Sequence, residues 1–282
     1  MNIFEAIILG IVQGLTEFLP VSSSGHLVLL QKIFKIENQS LFFDTMLHAG
    51  TLISVFIVLW KDIWNLIKNP VQKLMLFLII ATIPAVIAAL LFDDSIEEIF
   101  KSARFLGWCF LFTTALLVAA EMLSRRALNK SEQKKAEDMT WLDALCIGLM
   151  QAIAIPPGVS RSGATISGAL FRGLDRDFAA RFSFLMSIPA ILGAVVLQTK
   201  DLITSGNVNS QTADAALGTL SETTINAGAV VAGTLTAAVV GFFAVKFMLK
   251  IIREKSLFGF AVYTGALGLL VLMDQYFTRF VF

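Results

Sequence analysis

Six stretches of about 20 mostly apolar residues recur along the chain, at roughly 43–60, 74–92, 105–123, 178–198, 225–249 and 257–273. At 1.5 Å of rise per residue each is long enough, as a helix, to cross about 30 Å of hydrocarbon. A soluble fold could not hide them, because only 15% of the 282 residues are charged, against roughly 25% in ordinary soluble domains. Backbone polar groups in hydrocarbon must be satisfied within the segment that carries them, so the expected fold class is an all-α polytopic membrane protein with six transmembrane helices.

Two further apolar stretches are interrupted. Ile3 to Leu19 runs into Pro20-Val21-Ser22-Ser23-Ser24-Gly25 and resumes over 26–34. Trp141 to Ile155 runs into Pro156-Pro157-Gly158-Val159-Ser160-Arg161-Ser162-Gly163 and resumes over 164–171. Each half is too short to span, so both stretches read as re-entrant helix hairpins. The first has no basic leader and no small-residue cleavage site, and is expected to belong to the mature fold.

The two hairpins match each other. Gly10, Gln13, Val21, Ser22, Ser24 and Gly25 recur as Gly148, Gln151, Val159, Ser160, Ser162 and Gly163, always 138 residues on. Each repeat is one hairpin followed by three spans: residues 1–123 form the first, 140–282 the second, and the polar stretch 124–139 links them. Three spans is an odd number, so the second repeat enters the membrane from the side opposite to the first, which makes the repeat inverted. The basic residues agree. With 61–73 in the cytoplasm, 15 Lys and Arg fall there and 6 outside, with Arg161 set aside as intramembrane. The linker is then cytoplasmic, and the loop Asp93 to Glu98, the stretch 201–224 and both termini are extracytoplasmic. The hairpins enter from opposite sides, so their tips can meet.

Irregular backbone at membrane depth is tolerated only where it is buried in protein or lines a water-filled cavity. At each tip a helix begins after a serine-rich turn, so free N–H groups and the positive end of the helix dipole face that cavity. Arg161 adds a planar cation suited to phosphate or carboxylate. Gln13 and Glu17 are four apart and share a helix face, and spacings of four and three are expected to bring His26 to the side of Ser22 and Ser23. Ser160, Ser162 and Thr165 complete the second tip. A carboxylate, an imidazole, hydroxyls and an arginine around a phosphate-sized anion are what phosphoryl transfer requires. His48, inside the first full span, reads as a packing or hydrogen-bonded histidine and stays outside this set.

Composition excludes other classes. A net charge of +1 without a basic block gives nucleic-acid binding no support. Two cysteines, Cys109 and Cys146, in apolar stretches make neither a disulfide framework nor, with only two histidines, a zinc site.

GIVQGLTEFLPVSSSGH followed by PPGVSRSGAT resembles the undecaprenyl-diphosphatase family, also known as bacitracin-resistance proteins, in both signature motifs: E/Q-x-x-x-E, here Gln13 to Glu17, and P-G-x-S-R-S-x-x-T, here Pro157 to Thr165. The resemblance implies a bacterial inner-membrane enzyme that hydrolyses undecaprenyl diphosphate to the monophosphate, with its active site opening to the extracytoplasmic side. It implies Glu17 as metal ligand or base, with Ser22, Ser23, His26 and Arg161 catalytic. Gln13, Ser24, Ser160, Arg161, Ser162 and Thr165 would bind the diphosphate, with a divalent cation, Mg2+ or Ca2+, as cofactor. The expected partners are the polyprenyl diphosphate and membrane lipids, and the sequence is compatible with a homodimer. Gln stands where many relatives have a first Glu, which concentrates the charge work on Glu17. The rival reading is a lipid-phosphate flippase or anion transporter, since broken helices meeting in an inverted repeat are also a transporter plan.

Overall fold

The computed structural model describes residues 1–36, 41–91, 103–129, 133–205 and 227–282. The loop at 93–98, part of the linker and most of 201–224 lie outside them. The described chain is helical; apart from one isolated bridge between Lys134 and Leu174, no β structure occurs among the described residues. The helices are α1 (Ile3–Thr16), α2 (Ser23–Ile33), α3 (Leu41–Val58), α4 (Trp60–Lys68), α5 (Lys73–Leu91), α6 (Leu106–Asn129), α7 (Trp141–Ile153), α8 (Arg161–Phe171), α9 (Arg176–Ser205), α10 (Ala227–Glu254) and α11 (Phe258–Met273).

Five of these, α5, α6, α9, α10 and α11, are long and apolar enough to cross a membrane. The remaining stretch, 43–60, forms α3 and then bends by 79° into α4. Helix α10 shows how a membrane protein divides one helix between two solvents. Its large side chains Val231, Leu235, Val239 and Phe243 are exposed, whereas Gly233, Ala237, Gly241 and Ala244 are buried. In lipid there is no hydrophobic gain from hiding large side chains. Small ones go inward because they let backbones approach.

Those close approaches bind each hairpin to a distant helix. Helix α1 packs chiefly against α10, and α7 against α5. A Cβ on Gly10 would collide with the carbonyl oxygen of Gly233, and a Cβ on Gly148 with that of Ala81. At the tips, a Cβ on Gly25 would meet the Gly158 backbone at 2.8 Å, and one on Gly163 would come 3.3 Å from Pro20. The two turns therefore touch through the positions where the sequence has glycine.

Capping fixes where the hairpin helices begin. The Asn2 side chain accepts from Glu5 N while Glu5 Oε2 accepts from Asn2 N, both at 2.8 Å. Thr140 and Asp143 form the same reciprocal box at the start of α7. These pairs are again 138 residues apart, and each satisfies N–H groups that a helix start leaves without partners. Away from the tips, Glu121 on α6, 1% exposed, ties together Arg125, Arg176 and the N–H of Leu257. It is a buried staple, because the start of α11 and a side chain of α9 converge on it.

Candidate functional site

Helix α1 ends at Thr16, and the turn through Pro20 carries the chain to α2. Ser22 caps α2: its hydroxyl accepts from Gly25 N at 3.3 Å. Ser160 caps α8 in the same way, accepting from Gly163 N at 3.0 Å. The N–H groups of Ser23, Ser24, Arg161 and Ser162 lie in the first turns and have no intrahelical acceptor. Both helix starts open onto one cavity of about 180 Å³, lined among others by Glu17, Ser22, Ser23, Ser24, Ser160 and Arg161. That is roughly tenfold more than the ~10–15 Å³ one water needs. The site is therefore a place for positive backbone charge, hydroxyls and a small polar guest.

Glu17 is the hub. Its Oε1 accepts from Arg161 Nη2 across the two tips. Its Oε2 accepts from Ser23 Oγ at 2.6 Å and from Gln13 Nε2 at 2.9 Å, and lies 3.1 Å from His48 Nδ1. The carboxylate is 4% exposed and Arg161 18%, so the pair is largely shielded from water. Burying such a pair is tolerable only because the remaining lone pairs are filled by Ser23 and Gln13.

The arrangement differs from the sequence expectation in four residues. His26 is not on the cavity. Its Nδ1 lies 2.6 Å from the Ser22 carbonyl oxygen and its Nε2 2.7 Å from Tyr263 Oη, with the Phe110 ring edge-on. The helical spacing does hold, but Ser22 stands outside the helix at φ 71° and presents its carbonyl, not its hydroxyl, to the ring, while Ser23 Oγ turns away to Glu17. A carbonyl accepts only, so Nδ1 carries the proton and Nε2 accepts from Tyr263. Thr165 is fully buried, donating to Arg161 O and meeting Ser183 Oγ at 2.6 Å, which fixes α8 to α9. Ser162 donates to Leu19 O at 3.0 Å and so ties one tip to the other. Gln13 is behind Glu17, holding it.

Sequence reasoning set His48 outside the candidate set and did not consider Thr45; both lie on α3 and line the cavity, and for His48 a signal existed. The available signal was an ionisable side chain inside an apolar span. What the sequence lacks is any spacing rule that brings α3 to the tip of the first hairpin.

A divalent cation does not find a site built by the protein alone. Among the described residues no three His, Cys, Asp or Glu side chains converge to hold one. Both oxygens of Glu17 are already engaged. The donors that are present, an arginine, hydroxyls and helix N-termini, suit an anion.

Beside this polar cavity lies an apolar groove of about 520 Å³ between α3, α4, α5 and α9. Leu185, Ile188, Pro189 and Leu192 of α9 line it, and the intervening Ala190 and Ile191 line the polar cavity. One helix thus separates an anion site from an apolar trough.

The family described as bacitracin resistance protein BacA matches residues 6–270. The chain is 48% identical over 276 residues to undecaprenyl-diphosphatase 3 of Bacillus cereus, covering 98% of each chain. It is 46% identical over 275 residues to an undecaprenyl-diphosphatase of Carboxydothermus hydrogenoformans, again covering 98% of each. With the one of Halothermothrix orenii the identity is 39%, over 97% of this chain and 98% of that one. The second hairpin, all but the first few residues of the first and every residue of the cavity lie within the matched span, and the chain belongs to the bacitracin resistance protein BacA family.

Proposed function

We propose that this protein hydrolyses undecaprenyl diphosphate to undecaprenyl phosphate and inorganic phosphate at the cavity between the two tips. It thereby recycles the lipid carrier of cell-wall synthesis, an activity that confers bacitracin resistance. The observation that carries the site is the Glu17 carboxylate, joined to Arg161 from the opposite tip while accepting the Ser23 hydroxyl at 2.6 Å. Relatives named for this reaction match over nearly the whole chain.

In the reaction, Arg161 and the free N–H groups of the two helix starts bind the diphosphate and stabilise charge on the transferring phosphoryl group. The attacking oxygen is that of water or of Ser23. Glu17 takes its proton: Oε2 is already within hydrogen-bond distance of Ser23 Oγ. The bond from the terminal phosphorus to the bridging oxygen breaks, and undecaprenyl phosphate leaves with that oxygen. If Ser23 attacks, water then releases phosphate from the serine. Arg161 shifts from Glu17 toward the diphosphate as it binds, which frees the carboxylate to act as base. Ser22, Ser24 and Ser160 supply further donors. His26 acts by fixing the Ser22 turn, and Ser162 and Thr165 act by holding the second tip. The prenyl chain lies in the apolar groove beside α9, whose lining matches it in polarity. Requirement for Mg2+ or Ca2+ is proposed from the resemblance alone, and no step above runs through the ion.

The membrane arrangement belongs to the same reading: six spans and two re-entrant hairpins, in inverted repeats 1–123 and 140–282 joined by 124–139, with both termini and the mouth of the site extracytoplasmic. The sided basic residues and the equivalence of the two caps support it. Cysteines placed at Lys134 and at Ser205 should label from opposite sides of the membrane. Labelling from one side refutes the inversion.

The activity is tested with purified protein in detergent and a C55 or C15 prenyl diphosphate, measuring released phosphate with and without EDTA. Release by the wild type and its loss in Arg161→Ala are expected. No release from the wild type overturns the phosphatase and favours a flippase, and release unchanged by EDTA removes the cation.

A further inference from the structure

His48 is the cavity residue that the reaction above leaves unused. Its ring comes from α3, and its Nδ1 edge is turned to the tip of the first hairpin, 2.9 Å from Gln13 Nε2 and 3.1 Å from Glu17 Oε2. The side chain is 28% exposed and lines the same cavity as Arg161, Ser22, Ser23 and Ser24. Among the described residues Nε2 has no hydrogen-bond partner.

The proton arrangement follows from donor counting. Gln13 presents Nε2, not Oε1, to this cluster, because an amide oxygen 2.9 Å from a carboxylate oxygen would be repelled. One hydrogen of that NH2 group goes to Glu17 Oε2. The other faces His48 Nδ1 at 2.9 Å, closer than Glu17 Oε2 at 3.1 Å. A neutral ring whose Nδ1 accepts from Gln13 carries its proton on Nε2, and a doubly protonated ring, with Nδ1–H shared with Glu17, carries one there too. The tautomer with a bare Nε2 could donate Nδ1–H to Glu17 Oε2 but would set it against the nearer N–H of Gln13. Gln13 therefore makes the open edge of His48 an N–H donor.

A donor at that edge has work to do. Arg161, the strongest anion ligand of the cavity, is partly neutralised by Glu17, and the other donors are hydroxyls and backbone N–H groups.

We propose that His48 is a substrate-binding residue whose Nε2–H donates to a phosphoryl oxygen of the diphosphate, with Gln13 setting its tautomer. This rests on the phosphatase reading for the identity of the anion and deepens it.

The test separates the two edges of the ring. Gln at position 48 can place an amide N–H near the Nε2 position, whereas Asn reaches only the Nδ1 position. Binding of inorganic pyrophosphate by titration calorimetry and KM and kcat for a C15 prenyl diphosphate would be measured for wild type, His48→Gln, His48→Asn and His48→Phe, after melting curves show each is folded. Loss of one hydrogen bond to a charged group corresponds to about a tenfold to hundredfold weaker Kd. That loss is expected in Asn and Phe, with Gln within about threefold of wild type and the rise falling mainly on KM. Asn equal to Gln and wild type overturns the proposal, since the ring would then only support Glu17. So does a wild type that binds no pyrophosphate and whose KM does not respond to any of the three variants. If pyrophosphate binding follows the expected pattern but no phosphate is released, the phosphatase reading fails and the binding role of His48 stands.

Discussion

The two hairpins share their frame residue by residue. Asn2 and Thr140 cap their first helices, Ser22 and Ser160 their second, and Gly10 and Gly148 press against the backbones of α10 and α5. Where they differ, the differences are chemical. Glu17 corresponds to Ile155, Ser23 to Arg161 and His26 to Ala164. Positions that set helix starts and close approaches keep the same role in both copies, because both copies must still form the same turn. Glu17 and Arg161 have diverged from their counterparts, so that one tip supplies an acid and the other a cation. Two identical tips would put like charges together, and only unlike tips can meet as a neutralised pair.

Removing the chemical difference gives the largest expected effect. Glu17→Ile makes the first tip resemble the second, and Arg161→Ser does the converse. Each should lower phosphate release by about a hundredfold or more, the scale on which single transition-state stabilisers act. Each also strands a buried charge, at about 3–5 kcal/mol of stability. The double variant, Glu17→Ile with Arg161→Ser, should therefore melt higher than either single variant while remaining inactive. A double variant that melts at the sum of the two losses would show that the ion pair is not what couples the tips.

The shared frame is sharpened by Gly10→Ala and Gly148→Ala. Each new Cβ would meet a carbonyl oxygen of a packed helix. Overpacking of this kind costs about 1–3 kcal/mol, and the two losses should be similar. Melting in detergent with phosphate release alongside measures both. If one variant melts like wild type and the other fails, the two glycines do not perform the same task.

The sequence disclosed the frame well and the site in part. The 138-residue offset, the two turns and the presence of Glu17 and Arg161 at them were legible because each depends on local spacing or on the high cost of charge in hydrocarbon; that the two charges pair directly was not. What escaped was decided by packing between distant helices. His26 has the right spacing for the serines, yet Tyr263 of α11 and the Ser22 carbonyl occupy both its nitrogens. His48 reaches the cavity only because α3 lies against α1, α9 and α10. Thr165 belongs to the signature motif but spends its hydroxyl on Arg161 O and Ser183.

The caps test the comparison more finely. Ser22→Ala and Ser160→Ala should each cost about 1 kcal/mol of stability. Glycine should separate them. Ser160 caps with ordinary φ −76°, so Ser160→Gly loses a few tenths of a kcal/mol. Ser22 is held at φ 71°, a region that costs a residue with a Cβ about 1–2 kcal/mol. Ser22→Gly should therefore melt at or above wild type, and a drop equal to that of Ser22→Ala would mean that the hydroxyl, and not the backbone, sets this turn.

The smallest effect, of opposite sign, concerns the paired glutamines. Gln13 gives its amide to Glu17 and lies beside His48, whereas Gln151, 3% exposed, has neither Nε2 nor Oε1 hydrogen-bonded among the described residues. An amide buried without partners opposes folding, and an apolar side chain of similar size removes that penalty. Gln151→Leu is expected to raise stability by roughly 0.5–1 kcal/mol and leave phosphate release unchanged. Gln13→Leu should instead lower release, because Glu17 loses a donor and His48 the partner of its Nδ1. If Gln151→Leu melts lower or loses activity, its amide has a partner such as bound water, and the second hairpin then carries a polar function that its isoleucine and alanine replacements conceal.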